Sequence, residues 1–488
     1  MAIPLSAQTF TTLHSFQQTD GAQPQAGLVQ ATDGNLYGTT LDAGANATGG
    51  TIFKINPSGK LTTLYDFCSQ SGCADGERPN AGMIQAIDAN FYGTTGAGGG
   101  QLNGTVFKIT LGGALTTLYD FCPQTTCTSG SGPDTALVQA PSGNLYGATL
   151  TEGANGRGGT IFETTTTGSL TTLYSFCSQP NCEDGLSPGG LVRAVDGNFY
   201  GVTQNGGGTG PGLCGYGCGT VFKMTTSGTL TTLYGFCAKG GSCADGATPL
   251  GTLVQGSDGN FYGTTEYGGL INASYCPMTC GTVFEISPSG TLTTLHEFCS
   301  ESSCADGSRP WAGLILATDG NLYGTTEYGG ANINSFCSLG CGTAFKITPD
   351  GTLTTLYSFC PQSGCSDGVA PRGALVQDTD GVFYGTTAYG GSSICSNGCG
   401  TIFSLSVGLG PFVETVPTSG KAGATVHILG TNLTGATSVT FNGTPATFAV
   451  VSGSYIKTTV PTGATTGPVQ VTTPGGTLNS NVTFYVAH

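Results

Sequence analysis

A Tyr-Gly pair returns at Tyr37, Tyr92, Tyr146, Tyr200, Tyr262, Tyr323 and Tyr384, about 54 to 62 residues apart. Each pair sits in the same frame, of which Ala317-Thr318-Asp319-Gly320-Asn321-Leu322-Tyr323-Gly324-Thr325-Thr326 is one copy. A short apolar run such as Gly27-Leu28-Val29-Gln30 precedes the pair. A Gly-rich loop, then Gly-Thr-Val-Phe-Lys-Ile (104–109), then a Thr-rich run (115–121) follow it. A unit of this length cannot bury a core alone and must stack on its neighbours.

Each unit carries four strand candidates. Around Tyr323 they are 312–318, 321–326, 343–348 and 352–359. Asp319-Gly320 between the first two, and Pro349-Asp350-Gly351 between the last two, are tight-turn signals. Four antiparallel strands repeated seven times predict a seven-bladed β-propeller over residues 1–409. The chain opens on a fourth-type strand (9–16), and its last repeat ends on a third-type strand (400–405). The N-terminal strand is therefore expected to complete the seventh blade beside Thr401-Ile402-Phe403, covering an edge that would invite aggregation. Seated on a second copy instead, it would give a homo-assembly by strand exchange.

Alternation sends the minimal turns to one face and the loops after the second and fourth strands to the other. Those loops hold the cysteines, the Asp-Gly turns at Asp75, Asp245, Asp306 and Asp367, and the single tryptophan, Trp311. Elaborated loops on a rigid frame are where function usually sits.

Composition narrows the partners. The 488 residues carry net charge −15 with 13 Lys plus Arg, and no cationic cluster that would displace counterions from phosphates. Nucleic acid is excluded and anionic membrane surfaces are disfavoured. Abundant Gly (84), sparse charge and frequent β-branched residues indicate an all-β chain, and no apolar run is long enough for membrane insertion.

All 20 cysteines have a close partner. Six pairs follow the Thr-rich runs: Cys68/Cys73, Cys122/Cys127, Cys177/Cys182, Cys237/Cys243, Cys299/Cys304 and Cys360/Cys365. Four lie in Gly-rich loops: Cys214/Cys218, Cys276/Cys280, Cys337/Cys341 and Cys395/Cys399. Matched local pairs predict ten disulfides and an oxidising compartment, hence a secreted or cell-surface protein. The spacing differs from Cys-x2-Cys and lacks neighbouring His, which argues against zinc. Met1 to Gln8 resembles the small-residue tail of a cleaved signal region.

After Leu409 the repeat stops. Residues 410–488 alternate at Val426/Ile428, Val439/Phe441, Phe448/Val450, Val469/Val471 and Val482/Phe484/Val486, the rhythm of a small β-sandwich. Here two resemblances can be named. The run 27–40 followed by Gly-Thr-Ile-Phe-Lys-Ile (50–55) resembles the bacterial GloVer-type tandem repeat, which implies an exported, propeller-like protein. Pro417-Thr418-Ser419-Gly420, Ala422-Gly423-Ala424-Thr425-Val426, Gly430-Thr431-Asn432-Leu433 and 467–476 resemble an IPT/TIG domain, which implies an Ig-like spacer or adhesive module. The surface anchor often found in the repeat family is not visible after Val486.

Candidate chemistry is thin. His14 and His296 occupy the slot held elsewhere by Tyr65, Tyr119, Tyr174, Tyr234 and Tyr357, so they read as aromatic substitutes; His427 lies in the C-terminal module and His488 ends the chain. No catalytic triad or metal-ligand spacing emerges. Asp33, Asp196, Asp258, Asp319 and Asp380 recur in short hairpins without the oxygen spacing of a calcium loop, so they read as turn formers and no cofactor is expected. Tyr267, Tyr328 and Tyr389 fall at one repeat position, beside Glu266 and Glu327 and on the face of Trp311. Such rings suit a glycan or protein ligand at the extracellular surface. The expected role is extracellular binding or scaffolding. A self-assembling surface protein and a carbohydrate-active enzyme using the loop carboxylates are the alternatives.

Overall fold

A computed structural model describes residues 8–487 apart from 47, 124–125, 209–213, 239–242, 273–275, 277–278 and 362–363. Residues 1–7, with their cleavage-like tail, and His488 lie outside the described residues. Strands of the repeat form seven four-stranded antiparallel sheets. The third is Val138–Gln139, Leu145–Thr149, Thr160–Thr164 and Leu170–Ser175. In the last sheet the outer place is taken by Thr9–Ser15, which pairs antiparallel with Thr401–Ser406.

The invariant letters of the repeat have physical reasons. A Cβ on Gly147 would sit 2.6 Å from Leu137 and 2.7 Å from the Phe162 ring, so the second strand needs glycine where the next strand's Phe crosses it. The Thr closing Tyr-Gly-Thr-Thr meets the Thr opening the third strand: Thr40 with Thr51, Thr203 with Thr220 and Thr387 with Thr401 bring hydroxyls to 2.8–2.9 Å in the buried interior. Tyr37 packs on Phe91 of the following sheet at 4.3 Å, while its hydroxyl donates to Asp33 at the hairpin. Asp196, Asp258, Asp319 and Asp380 receive the equivalent tyrosine hydroxyl.

The first strand is shorter than the sequence predicts. Around Tyr323 it is only Ile315–Leu316. The chain crowds its neighbours just before it, where a Cβ on Gly313 would lie 2.4 Å from the Thr252 carbonyl. Contacts between units replace ladder bonds within the sheet there.

Neighbouring sheets are joined by a repeated peptide. The residue before a proline in the loop after the fourth strand (Gln23, Arg78, Gly132, Ser187, Thr248, Arg309 or Ala370) holds φ between 51° and 63°. Its N–H donates backwards into the preceding unit, as in Arg309 to Cys280 O at 2.7 Å. Its carbonyl accepts forwards, as from Glu327 N at 3.0 Å. Gln23 N reaches Cys399 O at 2.8 Å, so the same bond ties the first sheet to the last.

All ten disulfides are formed. In the loops after the fourth strand a buried aspartate fixes the geometry. Asp75 accepts from Tyr65, Ser69 and the Gln70 N–H, and Asp306 makes the corresponding bonds to His296, Ser300 and Glu301. Short 3-10 turns at Ser71–Cys73, Pro180–Cys182 and Ser302–Cys304 lie inside these loops. Cys337/Cys341 and Cys360/Cys365 lie against each other, with all four Sγ atoms within 4.8 Å. Each pair type also occurs without the other, Cys68/Cys73 in the first unit and Cys395/Cys399 in the last. The cysteines therefore work as pairs rather than as a tetrad.

Cys127 differs in backbone from the second cysteine of the other five pairs after the Thr-rich runs. It is bonded to Cys122. Cys73, Cys182, Cys243, Cys304 and Cys365 hold φ between 48° and 56°, whereas Cys127 stays out of the left-handed region. Two residues on, Ser129 stands where the other loops have aspartate, and its Oγ accepts the Cys122 N–H at 3.4 Å. The Cys127 carbonyl keeps its place, accepting from Gly130 at 3.1 Å and Gly153 at 3.0 Å.

The C-terminal residues form two further four-stranded sheets around Val413, Val426, Ile428, Val439, Phe441, Ile456, Val469, Val471 and Phe484. Ser454 Oγ donates to Thr32 O at 2.9 Å and Phe412 N to Thr379 O at 3.0 Å, seating this module on the hairpin face of the repeat sheets. Among the described residues no helix is long and apolar enough to cross a membrane.

Candidate functional site: the channel mouth

The inner strands surround a channel. On the long-loop face its mouth opens into a cavity of about 330 Å³. The residue after each repeated proline points into it: Gln25, Asn80, Asp134, Gly189, Leu250, Trp311 and Arg372. One backbone position, delivered seven times by the same Pro-fixed loop, thus carries seven different residues, six with side chains and Gly189 without one. The frame repeats and the lining does not.

One side of this ring is acidic and amide-bearing. Asn80 Nδ2 donates to Asp134 Oδ2 at 3.0 Å, while Oδ1 of each side chain has no partner among the described residues. Burial pushes the Asp134 carboxyl up to about 6, against the opposing pull of Asn80 and Arg78. It can donate or accept a hydrogen bond near neutral pH.

The other side is aromatic and cationic. The Arg372 guanidinium lies over the Trp311 ring at 5.0 Å and the Tyr389 ring at 5.6 Å. Its Nε donates to Glu327 Oε1 at 3.0 Å and its Nη1 to Gln25 Oε1 at 3.3 Å. Arg309 is placed alike, over Tyr267 at 5.2 Å and Tyr328 at 5.4 Å.

Tyr267, Tyr328, Tyr389 and Trp311 therefore do share one face, with Glu266 and Glu327 next to them. Arg309 lies over Tyr267 and Tyr328, and Arg372 over Trp311 and Tyr389; Trp311 lines the mouth, while Tyr328, Tyr389 and Glu327 line a neighbouring cavity of about 290 Å³. Glu327 is 3% exposed and ion-paired with Arg372. Glu266 is 7% exposed; burial raises its carboxyl, with the Tyr267 hydroxyl and Arg309 opposing. Glu266 is close enough to feel the charge of Glu327, itself ion-paired with Arg372.

The cysteines support this face from outside the mouth, and none lines the cavity. Where a unit has a bridge after both its second and fourth strands, the sulfurs meet: Cys218 lies by Cys237 and Cys243, and Cys276 by Cys299 and Cys304. Cys127 joins no such group, because the Gly-rich loop of its unit (96–104) has no cysteine to meet it.

Sequence reasoning missed Asp134, Asn80, Gln25 and Arg372. The signal was present: aligning the units on Pro24, Pro79, Pro133, Pro188, Pro249, Pro310 and Pro371 exposes a variable residue after a constant one.

The Gloeobacter/Verrucomicrobia repeat model matches residues 2–215, 135–333 and 276–444. The chain belongs to that family. An IPT/TIG domain model matches 412–486. No curated protein matches. Among solved structures, the extracellular domain of a hybrid two-component system from B. thetaiotaomicron aligns with TM-score 0.51 at 11% identity, over 97% of this chain and 58% of that one. PorZ, a bacterial surface component of the type-IX secretion system of Porphyromonas gingivalis, aligns with TM-score 0.45 at 14% identity, over 93% and 58%. The chain thus spans just over half the length of each. The first of these supports an all-β, propeller-like architecture for the family member described here.

Proposed function

We propose that this member of the repeat family is a secreted or surface-held binding protein. It comprises a seven-bladed propeller over residues 1–409 and an Ig-like module over 410–488, and it takes a glycan at the channel mouth. The observation that carries this reading is the variable ring on an invariant frame. Trp311 supplies a flat apolar surface, and Asn80, Asp134 and Gln25 supply hydrogen-bonding groups of the kind sugar hydroxyls need. The disulfides support an oxidising, extracellular setting.

A glycan array probed with the oxidised wild-type protein and with Trp311→Ala tests it. Binding that falls at least tenfold in the variant is the expected result. Equal binding by both proteins, or none by the wild type, defeats the reading.

A second reading is docking to a protein, including a second copy of this chain. Its support is a set of exposed apolar tips on the loops after the second strands: Ile271, Ile333, Phe336 and Ile394. Light scattering at rising concentration, beside Phe336→Ser, distinguishes it from the first.

A further inference from the structure

At the channel's other end the C-terminal module stands over the inner strands, and there a repeated tie between sheets is broken once by a charge. Gln30, Gln85, Gln139, Gln255 and Gln377 close five inner strands. Each accepts a backbone N–H of the adjacent unit, from Thr379, Thr32, Ile87, Val195 and Thr318, at 2.9–3.1 Å. Between the third and fourth sheets the donor is missing, because Pro141 stands there and has no N–H. The glutamine is missing too: Arg193 holds its slot, pairing with Phe199 as Gln139 pairs with Leu145. The junction of the fifth and sixth sheets also lacks the tie, but its Leu316 brings no charge.

The Arg193 guanidinium has little else to hold. Among the described residues no carboxylate lies within ion-pair distance of it. Asp196, the acid whose charge it feels, is taken by Lys223 at 2.9 Å. Its Nη1 reaches Ser419 Oγ at 3.5 Å, and its buried Nε has no partner among the described residues. An arginine carries five N–H donors, and withdrawn from water it normally spends them.

Arg193 lines a cavity of about 360 Å³ between the inner strands and the module, partly open to solvent. Val29, Ile84, Val138 and Val192 give this space apolar surface, and Ser419 and His427 line it from the module. The Ser419 hydroxyl accepts from Arg193 and keeps its own proton to donate. His427 is 6% exposed, and its ring makes no hydrogen bond among the described residues. Glu414 is also on the wall, and its charge is not one that Arg193 feels.

A lone guanidinium with a hydroxyl donor beside it matches a carboxylate, which takes two N–H bonds side by side in one plane. A phosphate would bring up to two negative charges into a space that holds one unpaired cation and the acid Glu414, so a single negative charge is favoured. The valines suit a short aliphatic body.

We propose that this cavity is a second binding site, at the end of the channel opposite the glycan-binding mouth, for a small aliphatic monocarboxylate held by Arg193.

Titration calorimetry of the full, oxidised protein with n-butyrate at pH 8, beside butyramide as the neutral isostere and inorganic phosphate as the competing anion, tests it. A saturable one-to-one heat is expected for butyrate, with affinity at least tenfold weaker for butyramide and for phosphate. Arg193→Gln installs the residue that five units carry in this slot, so it is expected to keep the wild-type circular dichroism while butyrate affinity falls at least tenfold. Absence of a saturable butyrate heat, equal affinity for butyramide or phosphate, or unchanged butyrate affinity in Arg193→Gln overturns the proposal.

Discussion

Phe16 meets Phe53 edge-on, ring centroids 5.2 Å apart, and thereby joins the end of the N-terminal strand to the first sheet. The same contact recurs between consecutive sheets: Phe67 with Phe107 at 5.4 Å, Phe176 with Phe222 at 5.3 Å, Phe359 with Phe403 at 5.2 Å. One interface is thus used at every junction, including the one between chain ends. Phe16→Ala removes a fully buried ring and is expected to cost about 3–5 kcal/mol. Chemical denaturation should show the loss, matched within error by Phe176→Ala. A cost under about 1 kcal/mol for Phe16 alone would mean the terminal junction contributes little.

The glycine of the Tyr-Gly pair makes a second test. Gly147→Ala forces a methyl against Leu137 and the Phe162 ring, and overpacking of this kind costs about 1–3 kcal/mol. Gly410→Ala meets nothing within 4 Å and should be neutral. Thermal melts of the two variants should differ clearly.

Carboxyl burial sets a pH dependence. Burial, then the neighbouring charge of Asp380, raises Asp378 to about 7, and burial raises Glu414 to about 7. Acids raised on folding bind protons more tightly in the native state, so stability falls as pH climbs from their ordinary values near 4 to about 7. Melting at pH 5 should exceed melting at pH 8, by on the order of 3 kcal/mol in unfolding free energy. Glu414→Gln and Asp378→Asn should each flatten the slope. His427, held below its ordinary value, works in the opposite sense on the acid side, so the variants rather than the raw profile isolate the carboxyls.

The Glu327–Arg372 pair holds the aromatic half of the mouth. Glu327→Gln leaves the guanidinium half-buried between Trp311 and Tyr389 without its counter-charge, at a cost of about 3 kcal/mol. Glycan affinity should drop together with stability. Loss of affinity with unchanged stability would instead make Glu327 a direct ligand group.

Much of the fold was legible because the repeat writes it seven times. Asp319-Gly320 marked a hairpin and the cysteine spacing ten short bridges, whereas the hydroxyl pair of Thr326 with Thr343 was not foreseen. Spacing alone could not separate Cys127 from its counterparts, whose loops have aspartate where Ser129 stands. The first strand was overread, since the crowding at Gly313 comes from the adjacent unit and leaves no mark in its own run. The mouth was half legible. Tyrosine at one repeat position is visible as a pattern, but its capping by Arg309 joins separate loops, and Glu327 meets Arg372 across a whole unit. Asp134 was hidden for the opposite reason: it is singular where the eye follows what recurs. Glu414 sits in an ordinary alternating strand, and only docking of the module turns its polar face inward.

The most direct measurement is the crystal structure of the protein with the tightest-binding glycan from the array. The account predicts a sugar ring against Trp311, with hydroxyls hydrogen-bonded to Asp134 and Asn80. A glycan seated instead on the loop tips at Ile271 and Phe336, with the mouth empty, would contradict it.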